Sequence, residues 1–189
     1  FNLRLRPGLN SSSLKLNTFN GFFGNRIRLD NDDFGNEFTF RLGLEAEFIM
    51  PYNKNKWAVI IEPNYQSYKS ELQTNENTVT TVDYKSLELL IGVRHYFFIN
   101  NESKIFVNTS YVIDFDSDQS IISSNTRNNG DIKIQSKANF ALGLGFMYYN
   151  KYSIEFKYYG KRSLVGDYPD GSRAVEYQTL SLIFGYTIF

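Results

Sequence analysis

The sequence predicts an all-β chain: an eight-stranded, antiparallel, up-and-down transmembrane β-barrel with short periplasmic turns and long extracellular loops. Three observations lead there. The chain holds 14 Tyr, 17 Phe and 13 Gly but only 4 Pro, and Ala, Leu and Glu stay below the levels of a helical protein. Apolar residues recur at every second position through stretches of about ten residues or more. Short turns alternate strictly with long polar connections, the asymmetry of barrels that cross an outer membrane.

The first predicted strand runs from Phe1 to Asn10 and sets Phe1, Leu3 and Leu5 against Asn2, Arg4 and Arg6. The second, Asn36 to Met50, carries the clearest alternation, with Phe38, Phe40, Leu42, Leu44, Ala46, Phe48 and Met50 on one face and Glu37, Thr39, Arg41, Gly43, Glu45 and Glu47 on the other. Trp57 to Tyr68 follows, then Tyr84 to Phe98 and Ile105 to Asp116. The last three are Ile134 to Tyr149, Tyr152 to Lys161 and the closing TLSLIFGYTIF, which ends on Phe189. Most exceed the roughly 9 to 11 residues that a tilted strand needs to cross a bilayer. Pro63 removes a ladder donor from a strand with no edge to hide it, so a bulge is expected there. The turns PYNKNK, INNESK and YNK close one end. About Ser11 to Gly35, Ser70 to Asp83, Ser117 to Lys133 and Ser163 to Val175 are expected as loops at the other.

Alternation alone does not say which face points outward, because a soluble lipocalin-like barrel alternates too, with its oily face inside. Three features turn the oily face toward lipid. The polar face mixes both charge signs with Gly43, Gly92, Gly143, Gly145 and Gly185, as a narrow packed lumen requires. Aromatics crowd the strand ends beside the short turns: Tyr52, Trp57, Tyr96, Phe97, Tyr148, Tyr149, Tyr152 and the terminal Phe189. Such girdles sit where acyl chains meet headgroups. A solvated outer face would carry more Lys and Glu than this one does. The closing strand is then greasy because lipid lies against it, and pairing with the first strand abolishes both sheet edges.

Lys+Arg and Asp+Glu balance at 20 each, so no basic field exists to collect nucleic acid. With 0 Cys, disulfides, thiolate zinc sites and thiol catalysis are excluded together. No apolar run approaches the roughly 20 residues of a membrane helix. The length suits a single barrel domain over residues 1–189. The chain opens directly on alternation, so a signal sequence is expected upstream of Phe1.

The ordered blocks RPGLNSSSL, FRLGLEAEFIMPYNKNKWAVIIEPNYQSY, YKSLELLIGVRHYF with KIFVNTSYV, and NFALGLGFMYYNKYSIEFKY with LSLIFGYTIF resemble the Bacteroidetes-type outer-membrane β-barrel domain, the porin family or PorT-like group, in a flavobacterial-looking form. The resemblance covers essentially the whole chain. It implies an integral bacterial outer-membrane location, and in such relatives a periplasmic domain often precedes the barrel. It further implies a non-enzymatic anchor or accessory subunit beside a larger envelope assembly for secretion, insertion or nutrient uptake. A small channel is the alternative, and a lipid-modifying barrel enzyme a third. Some relatives bear a nucleotide-hydrolase label, but GKRS at Gly160 to Ser163 lacks the upstream glycine loop that would cradle phosphate.

An eight-stranded barrel is just wide enough for its own side chains. The charges assigned to the lumen are Arg4, Arg6, Arg41, Arg94 and Lys157 against Glu45, Glu47, Glu62, Glu88 and Glu155. Buried charges must pair or cost several kcal/mol each, so a plugging salt-bridge network is expected, with a gated ion path as the alternative. His95, the one histidine, lies near the short-turn end and reads as a member of the aromatic belt, without a catalytic or zinc partner. The acidic runs Asp30 to Asp33 and Asp114, Asp116, Asp118 fail the calcium-loop pattern, because Phe34 and Arg41 occupy ligand positions. Weak divalent bridging to lipopolysaccharide is the other reading of those runs. No cofactor is implied. The partners expected are outer-membrane lipid and lipopolysaccharide and another outer-membrane protein, with no nucleic acid.

Overall fold

Period-two alternation becomes, in the fold, strict alternation between a lipid-facing wall and a lumen. The computed structural model describes the backbone of residues 1–22, 25–75, 78–116, 121–124, 132–133, 138–163 and 173–189. Side chains are described within 1–15, 35–71, 81–115, 138–162 and 176–189. Eight long antiparallel strands form the barrel: β1 (Asn2–Phe22), β2 (Asn25–Ile49), β3 (Trp57–Asn75), β4 (Thr78–Phe98), β5 (Ser103–Asp116), β8 (Asn139–Tyr148), β9 (Tyr152–Ser163) and β10 (Arg173–Thr187). Two short strands, β6 (Ile121–Ser124) and β7 (Ile132–Lys133), extend one flank, with β6 paired to Thr80–Asp83 of β4.

Each strand pairs with its neighbours in chain order, and β10 returns to β1. Leu3 N–H donates to the Phe189 carbonyl at 2.7 Å, and Ile188 N–H donates to the Leu3 carbonyl at 2.8 Å. The closed ladder satisfies the backbone in a medium that offers no water. The short turns use left-handed residues: Asn53, Lys54 and Asn55 in the β2–β3 turn, and Tyr149 with Asn150 (φ 51° and 54°) in the β8–β9 turn. The second pair supplies the two positive φ angles that a type I′ hairpin turn demands.

Along the membrane-spanning part of each of the eight long strands the outward face is apolar, with Phe40 56 %, Leu142 59 % and Phe156 58 % exposed. In water that surface would be untenable. In a bilayer it is the solvated side.

Several sequence expectations change. The stretches expected as loops at 11–35 and 70–83 are largely strand, because β1 pairs with β2 out to Phe22↔Asn25 and β3 with β4 out to Asn75↔Thr78. Beyond the lipid nothing requires one oily face, so apolar periodicity is not sustained while backbone pairing continues. The strand expected from Ile134 is described from Asn139, and 134–137 lie outside the described residues. Most of the expected loop at 117–133 and residues 164–172 also lie outside them.

No bulge forms at Pro63. The β2–β3 register is the same on both sides of it, Gly43↔Asn64 and Ala46↔Ile61, and the ladder simply skips Glu62 and Pro63. Pro7 does the same between β1 and β10, where Leu5↔Tyr186 and Gly8↔Ile183 keep one register and Arg6 and Pro7 are skipped. A missing N–H deletes one rung without inserting a residue.

Candidate functional site

The inward positions build a lumen in two storeys. Arg4 and Arg6 come from β1, Glu45 and Glu47 from β2, Glu62 from β3, Arg94 from β4, and Glu155 and Lys157 from β9. All lie in the periplasmic half and are at most 1 % exposed. Gly43, Gly143 and Gly145 alternate with them and leave room for the long side chains: a Cβ on Gly43 would stand 2.6 Å from Glu62 Oε1.

Every carboxylate of this storey meets at least two cations. Glu45 receives Arg4 Nη1 at 2.8 Å, Arg6 Nη1 at 2.8 Å and Arg94 Nη2 at 2.6 Å. Glu47 receives Arg4 Nη2 at 2.6 Å and Arg94 Nη1 at 3.1 Å. Glu62 binds Arg41 Nη2 at 2.6 Å and Lys157 Nζ at 2.9 Å, while Glu155 binds Arg6 Nη2 at 2.5 Å and Lys157 at 3.4 Å. Arg94 also lies 4.3 Å from the centre of the Phe106 ring. Such multiple pairing is what makes burial of ions tolerable, since each unpaired ion would cost several kcal/mol.

Above it, Arg41 reaches up to the Tyr159 hydroxyl, and a second group surrounds Glu88. Arg162 Nη1 lies 2.5 Å from Glu88, Gln66 donates to the same carboxylate at 2.6 Å, and Asn10 donates to Gln66 at 2.9 Å. Arg162 also donates to the Tyr84 hydroxyl, which in turn donates to Asp114 at 2.9 Å. Apolar residues separate and floor the storeys: Leu90, Val112, Ala141 and Tyr159 between them, and Ala58, Tyr96, Phe106 and Met147 at the periplasmic end.

The ten charged residues singled out from sequence therefore converge in one lumen. Three inward groups escaped sequence reasoning. Arg162 has the wrong parity relative to Lys157 and Tyr159. One extra residue of β9 between Tyr159 and Arg162, opposite Thr179 and Tyr177, turns it inward. Asp114 was read as part of an acidic run, and its partner Tyr84 shows that it belongs to the lumen. Lys104 sits one residue from its turn; its ammonium lies 3.8 Å from the centre of the Tyr96 ring and 5.7 Å from that of Phe98.

Tyr96 is a correction. It was expected in the aromatic girdle, but it is fully buried in the lumen and its hydroxyl donates to Glu47. Residues 94 and 96 share the inward parity, while His95 and Phe97 face out. The other girdle positions do lie outward or at the rim: Tyr52, Phe97, Tyr148, Tyr149, Tyr152 and Phe189 are exposed, and Trp57 is half-buried. At the rim, the Tyr149 phenol is pushed above its ordinary value by its hydrogen bond to Glu102.

His95 is sandwiched on the outer wall between Trp57 (ring centres 4.5 Å apart) and Phe97 (4.7 Å). Among the described residues, no three His, Asp or Glu side chains converge as metal ligands. The side chains of Asp30 to Asp33, Asp116 and Asp118 lie outside the described residues. GKRS belongs to β9, a strand rather than a phosphate-binding loop.

No protein-family model and no curated protein matches the sequence. Solved structures do match. OprG from Pseudomonas aeruginosa is 18 % identical, with a TM-score of 0.52 over 99 % of this chain and 95 % of that one. The outer-membrane enzyme PagL is 14 % identical, with a TM-score of 0.51 over 95 % and 99 %. At such identity the likeness establishes the fold. Together with the apolar wall and the closed ladder, it makes this chain an eight-stranded β-barrel integral to the outer membrane.

Proposed function

We propose that the barrel is a non-enzymatic membrane anchor or accessory subunit of a larger outer-membrane assembly, of the Bacteroidetes-type porin-family or PorT-like kind that its sequence blocks resemble. The observation that carries this reading is the lumen. The inward cations include Arg4, Arg6, Arg41, Arg94, Lys104, Lys157 and Arg162, and the inward carboxylates include Glu45, Glu47, Glu62, Glu88, Glu155 and Asp114. Each of these carboxylates is held by at least one inward cation or hydroxyl, although Arg6, Arg41 and Arg94 keep a buried Nε without a protein acceptor. A lumen so committed holds the barrel rigid and leaves recruitment to its outer wall, rims and hairpins. The outward placement of His95 in an aromatic stack also favours a non-catalytic role.

Mild-detergent extraction of the native protein, followed by size-exclusion chromatography and mass spectrometry, tests it. Co-migration with stoichiometric outer-membrane companions is expected, and migration as a lone barrel would remove the reading. One observation favours a second reading, a narrow ion path. Asn64 Oδ1, Ser86 Oγ, Asn108 Oδ1 and Ser110 Oγ, all on β3 to β5, are buried without a protein partner, as groups that hold ordered water are. Unitary conductance in planar bilayers would select that reading.

A further inference from the structure

The 20 cationic and 20 acidic side chains are unevenly distributed along the barrel axis. Inside the lumen six cations and six carboxylates balance above Lys104, which sits at its periplasmic mouth. At the periplasmic end, Lys54, Lys56, Lys104 and Lys151 stand against Glu102 alone, and the rest of the sequence holds ten cations and thirteen carboxylates. The periplasmic rim is thus basic in a protein whose net charge is zero.

Three of these lysines are outside the lumen, and each adjoins an aromatic of the girdle. Lys54 follows Tyr52 by two residues, Lys56 directly precedes Trp57, and Lys151 directly precedes Tyr152. The Lys151 ammonium lies 5.5 Å from the centre of the Tyr186 ring and 6.0 Å from that of Tyr152, and these two rings are themselves 5.7 Å apart. Among the described residues, none of the three ammonium groups is paired with a carboxylate. Tyr52, Tyr152 and Tyr186 are 71 %, 54 % and 44 % exposed. Tyr152 and Tyr186 lie on the lipid-facing wall, and Tyr52 lies in the β2–β3 turn at its edge.

The geometry also separates a lipid annulus from a protein docked on the flank. The β2–β3 turn carrying Lys54 and Lys56 and the β8–β9 turn carrying Lys151 lie on opposite sides of the barrel, with β4 and β5 between them one way and β10 and β1 the other. A protein docked on the flank of the barrel would meet one side. An annulus of headgroups meets both. Each site sets a lysine beside an aromatic residue at the short-turn end, the pairing that holds an anionic headgroup at an interface.

We propose that the periplasmic rim is a binding annulus for anionic phospholipid, in which Lys54 with Lys56 and, across the barrel, Lys151 take the headgroup phosphate while Tyr52, Trp57, Tyr152 and Tyr186 pack against the chains. The site does not depend on whether the barrel serves a larger assembly. The test is to place the full chain in nanodiscs of equal mole fractions phosphatidylglycerol and phosphatidylcholine, and to measure by native mass spectrometry which lipid stays bound. Phosphatidylglycerol is expected to be enriched over its mole fraction. The ratio of bound phosphatidylglycerol to bound phosphatidylcholine is expected to fall about fivefold per lysine removed, to collapse in K54Q/K56Q/K151Q, and to persist in K69Q at the other end and in K151R, which keeps the charge. Retention at the bulk ratio by the wild type, or enrichment that survives the triple change, would overturn the proposal. Lysine-dependent binding of an acidic peptide without lipid preference would overturn it too, and would assign the rim to a protein partner instead.

Discussion

Lys157 on β9 and Glu62 on β3 stand on diametrically opposite strands of the barrel, yet Lys157 Nζ donates to Glu62 Oε2 across 2.9 Å. Both are fully buried. The lumen is therefore bridged from wall to wall by side chains, and Glu62 is where Arg41 and Lys157 meet.

Removing that negative charge leaves buried cations without their counter-ion. Glu62→Gln is expected to cost about 3–5 kcal/mol. Urea titration in lipid vesicles, followed by fluorescence of the single Trp57, measures it. Glu176→Gln, which breaks the exposed Lys161–Glu176 pair at 3.4 Å, is expected to cost about 0–1 kcal/mol in the same assay.

The inward placement of Tyr96 makes a prediction that a girdle placement would not. Tyr96→Phe removes the hydroxyl that Glu47 accepts and is expected to cost about 1–3 kcal/mol. Tyr152→Phe, at the exposed rim, should stay within about 0.5 kcal/mol of the wild type. Equal effects from the two changes would contradict the placement.

Gly145 has no room for a side chain. A Cβ there would stand 2.7 Å from the Ile154 carbonyl and collide with the Phe106 ring, the ring beneath Arg94. Gly145→Ala is expected to cost about 1–3 kcal/mol by overpacking, read as a lowered urea midpoint with an unchanged slope.

On the outer wall, depth sets the penalty for charge. Leu144 lies midway along β8, and Phe97 is one residue from the periplasmic end of β4. Leu144→Arg is expected to cost about 2–4 kcal/mol and Phe97→Arg about 0–1 kcal/mol. The difference between them, measured in one bilayer, locates the hydrocarbon slab.

Much of this molecule is legible in its sequence because a strand spanning lipid must alternate, and alternation sorts side chains without any knowledge of pairing. Glu45 and Glu47 against Leu44 and Phe48 are legible for that reason. What escapes is whatever breaks the parity or lacks two unlike faces. Arg162 turns inward through one extra residue, an event with no compositional mark. Tyr96 stands beside Phe97 and Phe98, a cluster that looks like a girdle, although its parity puts it with Arg94. The hairpin arms beyond Ser13 include unbroken polar runs, Asp30 to Asp33 and Gln73 to Thr78, so strand and loop look alike there. Pro63 deletes a rung instead of adding a residue, and the sequence does not distinguish the two.

The two deleted rungs also divide the barrel mechanically. Pro7 interrupts the β1–β10 ladder and Pro63 the β2–β3 ladder, while β1 and β2 pair without a break from Asn2↔Glu47 to Ser13↔Asn36. The first hairpin is thus a well-bonded unit bounded on each side by a weakened seam. Pulled from the periplasmic end by a force probe, β1 and β2 should leave the bilayer together, as one event of a single contour length, before any other hairpin yields.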